Sequence, residues 1–439
     1  MATAVASLEK QPETQVKEMK GAYYALLLFS ILYFFRPEDV IPGLGFVPVA
    51  KIAGGIALLA LMAGLAGRKG RVKLPPEMKL LLAMFAWLCI DIPFAWWKGG
   101  ALSAVMNKYS KAVIIALLVS LVVTSMVQLR RLLVVQAAAV ALVTFVSTVL
   151  YRGGRMGGAL GGVFDNPNDL AVNIALNWPL CLMFLLAARS PLKKMLWGIG
   201  LLVMLRGVML TYSRSGFLAL GVAVVFCLWE FGVKGKRFYM LLAALLCAAV
   251  LLVAAPRNYG KRLESIVGTD QQGDKDKGSA ESRKELLVES LKLTLQHPVF
   301  GVGPGNFSAY TQSWLVTHNT YTQLSSECGI PVLVLFLLII RRAFKNLRNV
   351  RKSALYLEDP EVKLYTGALW ASLAAYLVGA FFANTADQLF PYYVVAYTTA
   401  LYRIASTSST NTQPGPALAN PDRGGQSPEQ RRAELAWTR

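Results

Sequence analysis

The residues best suited to chemistry lie in the one long polar interval between apolar segments, which holds both histidines of the chain, His297 and His318. His318 precedes Asn319 at the predicted start of a short helix that Gly329 ends, whereas His297 fits a turn. The dipole of that helix and neighbouring arginines both disfavour an imidazolium ion. His318 is therefore a candidate general base; a histidine that merely caps or packs is the alternative.

A set of arginines falls in the loops predicted on the same side of the membrane as the two histidines. Because cytoplasmic loops collect Lys and Arg, arginines on the opposite side need another reason to be there. The planar, permanently charged guanidinium fork suits phosphate. Pairing with acids such as Asp165, Asp169 and Asp387, or snorkelling at the interface, is the alternative. The set comprises Arg152, Arg155, Arg206, Arg214, Arg257, Arg262 and Arg283.

The composition indicates a membrane protein. Of the 439 residues, 55% are hydrophobic and 16% are charged, which is too apolar for a soluble domain of this length. The net charge of +20 would suit a nucleic-acid binder, but no RNA- or DNA-binding motif accompanies it. The basic residues instead form short clusters between apolar runs, as in loops that face anionic lipid. We predict membrane lipid, and no nucleic acid, as a partner.

The elements that must position these residues are predicted to form an all-α polytopic membrane fold. A span needs roughly 20 apolar residues, and runs of this kind predict about twelve transmembrane helices. Nearly every Lys/Arg cluster falls on one side, which predicts cytoplasmic termini. The predicted organisation is a leader at 1–20, transmembrane helices 1 to 9 at 21–255, a large outer loop with short helices at 256–329, helices 10 to 12 at 330–405 and a disordered tail at 406–439.

Three signals organise the outer loop. The charged patch 268–278 predicts a mobile surface turn, and a capping box at Ser282 predicts the start of an amphipathic helix that Pro298 ends. The Gly301-x-Gly303-x-Gly305 run predicts a tight loop that allows close backbone approach. It does not fit a dinucleotide fingerprint, because Pro304 lies inside it and no strand precedes it.

The sequence contains no metal-site or serine-nucleophile motif. Its five cysteines include no C-x-x-C pair and no zinc-type cluster, and the acids of the 268–278 patch lack EF-hand spacing. The segment Tyr212-Ser-Arg-Ser-Gly216 lacks the leading glycine of a G-x-S-x-G elbow. We therefore predict metal-free chemistry without a cofactor.

Four motifs, in order and spacing, resemble the O-antigen ligase and polymerase superfamily. Each motif is weak alone, and their order, with the histidine loop before the tenth predicted span, carries the resemblance. Together they cover roughly residues 160–330. The motifs are Phe164-Asp-Asn-Pro-Asn-Asp-Leu-Ala171, Leu210-Thr-Tyr-Ser-Arg-Ser-Gly216, Arg283 with His297-Pro-Val-Phe-Gly-Val-Gly-Pro-Gly-Asn-Phe307, and His318-Asn319 with Glu327-Cys-Gly329.

This resemblance implies a GT-C-like glycosyltransferase of the bacterial inner membrane whose large loop is periplasmic. Such enzymes take a glycan from undecaprenyl diphosphate without a metal and invert the anomeric centre. Arg214 and Arg283 would bind the diphosphate, and His318 would be the essential histidine; these three are the predicted catalytic residues. The further predicted substrate-binding residues are Arg152, Arg155, Asn168, Tyr212, Asn319 and Glu327.

The acceptor stays open at this stage. We predict a ligase that transfers the glycan en bloc to a hydroxyl of lipid A-core, while a polymerase or a protein O-oligosaccharyltransferase of the same superfamily is the alternative. The opening Arg36-Pro-Glu-Asp-Val-Ile-Pro42 resembles ligase-like proteins of exopolysaccharide or protein O-glycosylation clusters. A different class, a lipid-linked sugar transporter, would depend on the intramembrane acids Asp91 and Glu230.

Overall fold

The computed structural model describes residues 20–35, 49–67, 73–158, 166–254, 274–313 and 315–411. Within these ranges every regular element is helical. The helices are α1 Lys20–Phe35, α2 Val49–Ala66, α3 Pro76–Asp91, α4 Lys98–Val122, α5 Met126–Val149, α6 Pro167–Ala187, α7 Pro191–Thr211, α8 Arg214–Val233, α9 Tyr239–Ala254, α10 Asp274–Gln296, α11 Phe307–Tyr310, α12 Thr320–Val350, α13 Ala354–Glu358, α14 Pro360–Gly379 and α15 Leu389–Asn411. The predicted all-α class is confirmed for the described residues.

Seven of these helices are long and apolar enough to cross a membrane: α2, α4, α5, α6, α7, α8 and α12. The shorter α1 is also apolar. Four further helices, α3, α9, α14 and α15, lie where the sequence predicts spans, but each is either too short or not apolar enough to count among the seven. The protein is therefore a multi-pass membrane protein, and the count of about twelve spans stays a prediction.

Helix α6 forms the centre of the bundle, where it packs against α5, α7, α8 and α14. Several polar side chains inside are paired with one another: Gln136 Nε2 donates to Asn177 Oδ1 at 2.7 Å, and Tyr397 Oη donates to Gln136 Oε1 at 3.0 Å. A polar group without a partner would be costly in such a core, because no water can replace the lost hydrogen bond. This chain of bonds links α5, α6 and α15.

Helix α12 bends at Gly329, whose φ of 83° is left-handed. A side chain there would collide with the carbonyl oxygen of Val299, so only glycine fits. The short helix predicted to end at Gly329 is thus the first part of α12. Beside this bend the glycine run 301–305 docks on the helix, where the Gly303 N–H donates to the carbonyl of Glu327 at 2.7 Å. The predicted close backbone approach is confirmed.

Helix α10 differs from its prediction at its N-terminal end. It begins at Asp274 rather than at Ser282, so residues 274–278 are helical and not a turn. Its apolar residues also divide between two environments. Leu286 and Leu293 pack against Val302 and Phe307, while a second row is exposed, consisting of Leu287, Val288, Leu291 and Leu295.

Several predictions fall outside the described residues. These are the 1–19 part of the leader, the Arg36–Pro42 opening, Asp165, Arg257, Arg262 and the 268–273 part of the patch. The predicted tail from 406 begins inside α15, which continues to Asn411, and 412–439 also lie outside the described part.

Candidate active site

His318 lies in the segment that leads into α12, and both of its neighbours are held. Asn319 caps α12, since its side-chain oxygen accepts from the N–H groups of Tyr321 at 2.9 Å and Thr322 at 3.2 Å. The Asn384 side-chain oxygen accepts from the Asn319 N–H at 3.1 Å and from Thr317 Oγ1 at 2.8 Å. His318 itself has a φ of 50°, a left-handed conformation that is uncommon for a residue with a side chain. The fixed flanks therefore set the position of the imidazole.

The His318 side chain is half-buried, and its pKa is lowered from the ordinary histidine value. Burial is the largest cause, followed by the positive charges of Arg283 and Arg155. Both effects disfavour the imidazolium ion, because burial removes its hydration and the guanidinium groups repel it. The neutral imidazole predicted from the sequence is supported, although burial rather than like charge leads.

Arg283 on α10 and Arg214 at the start of α8 lie close enough to influence one another. The pKa of the half-buried Arg283 is lowered by burial and then by Arg214. Neither arginine forms an ion pair with any carboxylate in the described part of the chain. Because arginine keeps its charge, these two guanidinium groups form a positive site, which no carboxylate of the described residues neutralises, and Arg283 brings this charge close to His318.

The backbone turn between α7 and α8 places Arg214. Tyr212 ends α7 with a left-handed φ of 49°, and Ser213 caps α8 by accepting from the Gly216 N–H at 3.2 Å. A side chain at Gly216 would collide with Ala171 of α6, so this glycine lets the start of α8 pack closely on α6. Tyr212 also forms a side-chain hydrogen bond with Tyr151.

Arg155 joins this turn to the start of α6. Its Nε donates to the Thr211 carbonyl at 3.2 Å, and its other guanidinium nitrogen donates to Asn168 Oδ1 at 2.8 Å. The same Asn168 oxygen accepts from Ser213 Oγ at 2.9 Å. Asn168 and Arg155, both predicted to bind substrate, thus hold three helix ends together, while Arg152 is exposed nearby.

A comparison with protein families agrees with the motifs. Residues 199–337 match the sequence model of the O-antigen ligase family. This match supports membership in the O-antigen ligase superfamily. The match includes Arg214, Arg283 and His318, and it ends before Asn384. No curated protein matches the chain.

Glu327 lies within the O-antigen ligase match and has backbone partners. Its Oε2 accepts from the Gly305 N–H at 3.1 Å and its Oε1 from the Phe307 N–H at 3.3 Å, and the side chain is buried. These bonds hold the glycine run against α12. Its predicted role in substrate binding stays a prediction.

The other candidate residues from the sequence have simpler surroundings. His297 packs edge-on against Tyr310, with ring centroids 5.9 Å apart, which agrees with its structural interpretation. Asp387 pairs with Lys108 at 2.8 Å rather than with an arginine. Arg206 is exposed. Among the described residues, no group of three or more His, Cys, Asp or Glu side chains could hold a metal ion.

A cavity of about 630 Å³ adjoins the segment that carries His318. Its lining includes residues that the motifs did not indicate, namely Asn107, Lys108, Gln323, Asn384, Asp387 and Gln388. Only Lys108 carried a usable signal, since it is a lysine on the side of the membrane where basic residues are not expected. The sequence indicates Asp387 only as an ion-pair partner for an arginine.

Proposed function

We propose that the protein is an inverting, metal-independent glycosyltransferase of the inner membrane that transfers a glycan from undecaprenyl diphosphate to a hydroxyl of lipid A-core at the periplasmic face. One observation carries the proposal: the half-buried His318 lies close enough to Arg283 and Arg155 for their charges to lower its pKa, and Arg214 in turn lies close enough to Arg283 to act on it. The membership in the O-antigen ligase superfamily supports the same reaction class.

Arg214 and Arg283 bind the diphosphate of the donor. When the bond between the anomeric carbon and the phosphate oxygen breaks, negative charge grows on that oxygen. Guanidinium groups that are already in place stabilise this charge without reorganising at the moment of reaction. The loss of one such group typically lowers kcat by about 10²–10³-fold.

His318 accepts the proton of the attacking hydroxyl. The acceptor oxygen forms the new bond to the anomeric carbon on the face opposite the diphosphate, which leaves with the electron pair of the broken bond, so the configuration inverts. The proton passes to the imidazole and later to solvent or to the released diphosphate. General-base catalysis of this kind contributes about 10²–10⁴-fold in rate.

Transfer by the purified protein tests the proposal. The wild type is incubated with undecaprenyl-diphosphate glycan, with and without lipid A-core, and the glycosylated product is quantified. We expect His318→Ala to lose about 10²–10⁴-fold in kcat, while the matched control His297→Ala stays near wild type. A His318→Ala protein with the wild-type rate would refute the base role. A ladder of products without lipid A-core would instead identify a polymerase.

The transporter alternative loses part of its basis. Glu230 is engaged by two cations, since its Oε1 lies 2.9 Å from Lys234 Nζ and 2.9 Å from an Arg351 guanidinium nitrogen. An acid held in this way fixes α8 to the end of α12 and is not available to carry an ion. Transport in liposomes without bond formation would restore the alternative.

A further inference from the structure

The cavity that adjoins the His318 segment combines motif residues, namely Asp169, Gly305 and Glu327, with residues outside the motifs. Its walls come from α1, α4, α6, α11, α12, the glycine run and the segment that leads from α14 into α15. Asn384 in its wall also accepts the two hydrogen bonds that hold Thr317 and Asn319 on either side of the histidine. A ligand in the cavity would therefore contact the same segment that positions the imidazole.

The charges that line the cavity do not suit a diphosphate. Acids outnumber cations, with Asp169, Glu327 and Asp387 facing Lys108 and Lys111, and no arginine contributes to the described lining. Lys108 is further neutralised by Asp387 at 2.8 Å. The cavity thus offers the donor's phosphates no guanidinium group and no excess of positive charge, whereas the arginines lie outside it, so the cavity fits a neutral polar ligand.

The polar groups of the lining suit the hydroxyls of a sugar. Asn384 and Gln388 supply side-chain amides, Asp387 supplies a carboxylate, and Tyr33 and Tyr109 supply aromatic rings. A volume of about 630 Å³ falls within the range of about 300–1,000 Å³ that small-molecule sites occupy. A sugar ring with several hydroxyl groups meets both conditions.

Gln323 gives an independent sign of a ligand. Its side chain lines the cavity and is only 6% exposed, yet its Oε1 atom receives no hydrogen bond from the described residues. Buried side-chain oxygens are nearly always paired. A hydroxyl donor inside the cavity would satisfy this oxygen.

We propose that this cavity binds the sugar of the acceptor glycan that carries the attacking hydroxyl. Gln323 and Asp387 accept hydrogen bonds from its ring hydroxyls, and Asn384 couples its position to His318. The proposal rests on the proposed function, because it assigns the donor to the arginines and the second substrate to the cavity.

Kinetics with two variants test the assignment. Asp387→Asn and Gln323→Met keep side-chain size while removing an accepting oxygen, and Glu358→Gln, exposed near the start of α14, is the matched control. With lipid A-core as acceptor, we expect the acceptor KM to rise about tenfold or more in both variants, with the donor KM and the acceptor-independent hydrolysis of the donor unchanged. An unchanged acceptor KM in both variants would overturn the proposal. A higher donor KM with an unchanged acceptor KM would also overturn it, since the cavity would then hold the donor glycan.

A labelling assay measures whether a ligand occupies the cavity, and it depends neither on catalysis nor on a variant that removes a buried hydrogen bond. Ser308 lines the cavity, so Ser308→Cys introduces a thiol that a maleimide can modify. We expect core oligosaccharide released from lipid A to slow this modification, while undecaprenyl diphosphate does not. Equal rates with and without the oligosaccharide would refute the cavity assignment. If the oligosaccharide slows the modification but the protein transfers no glycan, the cavity assignment holds and the proposed transferase function is wrong.

Discussion

A substitution at Glu327 can distinguish a structural role of this residue from a role in substrate binding. Its two carboxylate oxygens accept from the backbone N–H groups of Gly305 and Phe307 at 3.1 and 3.3 Å, and its side chain is 5% exposed. Glu327→Gln keeps the shape but leaves one acceptor oxygen, so one buried N–H loses its partner. An unsatisfied buried donor costs about 1–3 kcal/mol, which corresponds to a change of about 5- to 150-fold in an equilibrium constant.

Hydrogen exchange measures this opening directly. We expect peptides that cover 301–310 to exchange about 5- to 150-fold faster in Glu327→Gln, while Glu285→Gln, exposed on α10, leaves them unchanged. A slower transfer rate should accompany the faster exchange, because the glycine run packs against the helix that follows His318. Unchanged exchange together with a raised substrate KM would refute the structural role and support the role predicted from the sequence.

Three further predictions concern the same site. Folding lowers the pKa of His318, so the unfolded chain binds more protons than the folded chain as the pH falls below about 6.5. The free energy of unfolding should therefore decrease below about pH 6.5. The acid limb of the kcat/KM profile should also lie below about pH 6.5, because the base must be neutral. Arg155→Gln should move that limb to higher pH, and a limb that stays in place would contradict the electrostatic argument. Gly329→Ala should destabilise the protein by at least about 1–3 kcal/mol in thermal unfolding, since its φ is 83°; a wild-type melting temperature would disprove the constraint. Without donor, the Arg214→Gln protein should melt at a higher temperature than the wild type, because the repulsion between Arg214 and Arg283 is removed. Undecaprenyl diphosphate should raise the melting temperature of this variant much less than that of the wild type. An equal rise in both proteins would show that Arg214 does not bind the diphosphate.

The sequence predicted those features that depend on local pattern. Apolar runs located the helices, because a backbone in hydrocarbon must satisfy its hydrogen bonds internally. The glycine run was predicted correctly, since left-handed backbone and close approach both require the absence of a side chain. The start of α10 was predicted too late. Lys, Glu, Arg and Ala favour helix, and one interior glycine costs only about 1 kcal/mol, so Gly278 did not stop the helix.

The cavity could not be predicted because its residues have no common pattern. Lys108 and Asp387 are far apart in the sequence but form an ion pair, and Asn384 bonds to Asn319 although 65 residues separate them. Each is an ordinary polar residue in its local context. Only the packing of α4, α12 and α15 brings them together, and no periodicity in the sequence encodes which helix faces which.

Neutral side chains form the framework of the site, and this choice has a chemical reason. Asn168 and Ser213 hold the start of α8 beside Arg214, while Asn319 and Asn384 hold the flanks of His318. Aspartate would cap helices equally well, but a carboxylate at position 168 would pair with Arg155, and one beside His318 would raise the pKa of the histidine. Amide and hydroxyl groups fix the backbone without neutralising the guanidinium groups. The positive charge therefore stays available for an anionic ligand. The cost is repulsion between Arg214 and Arg283. Selection for stability alone would remove this repulsion.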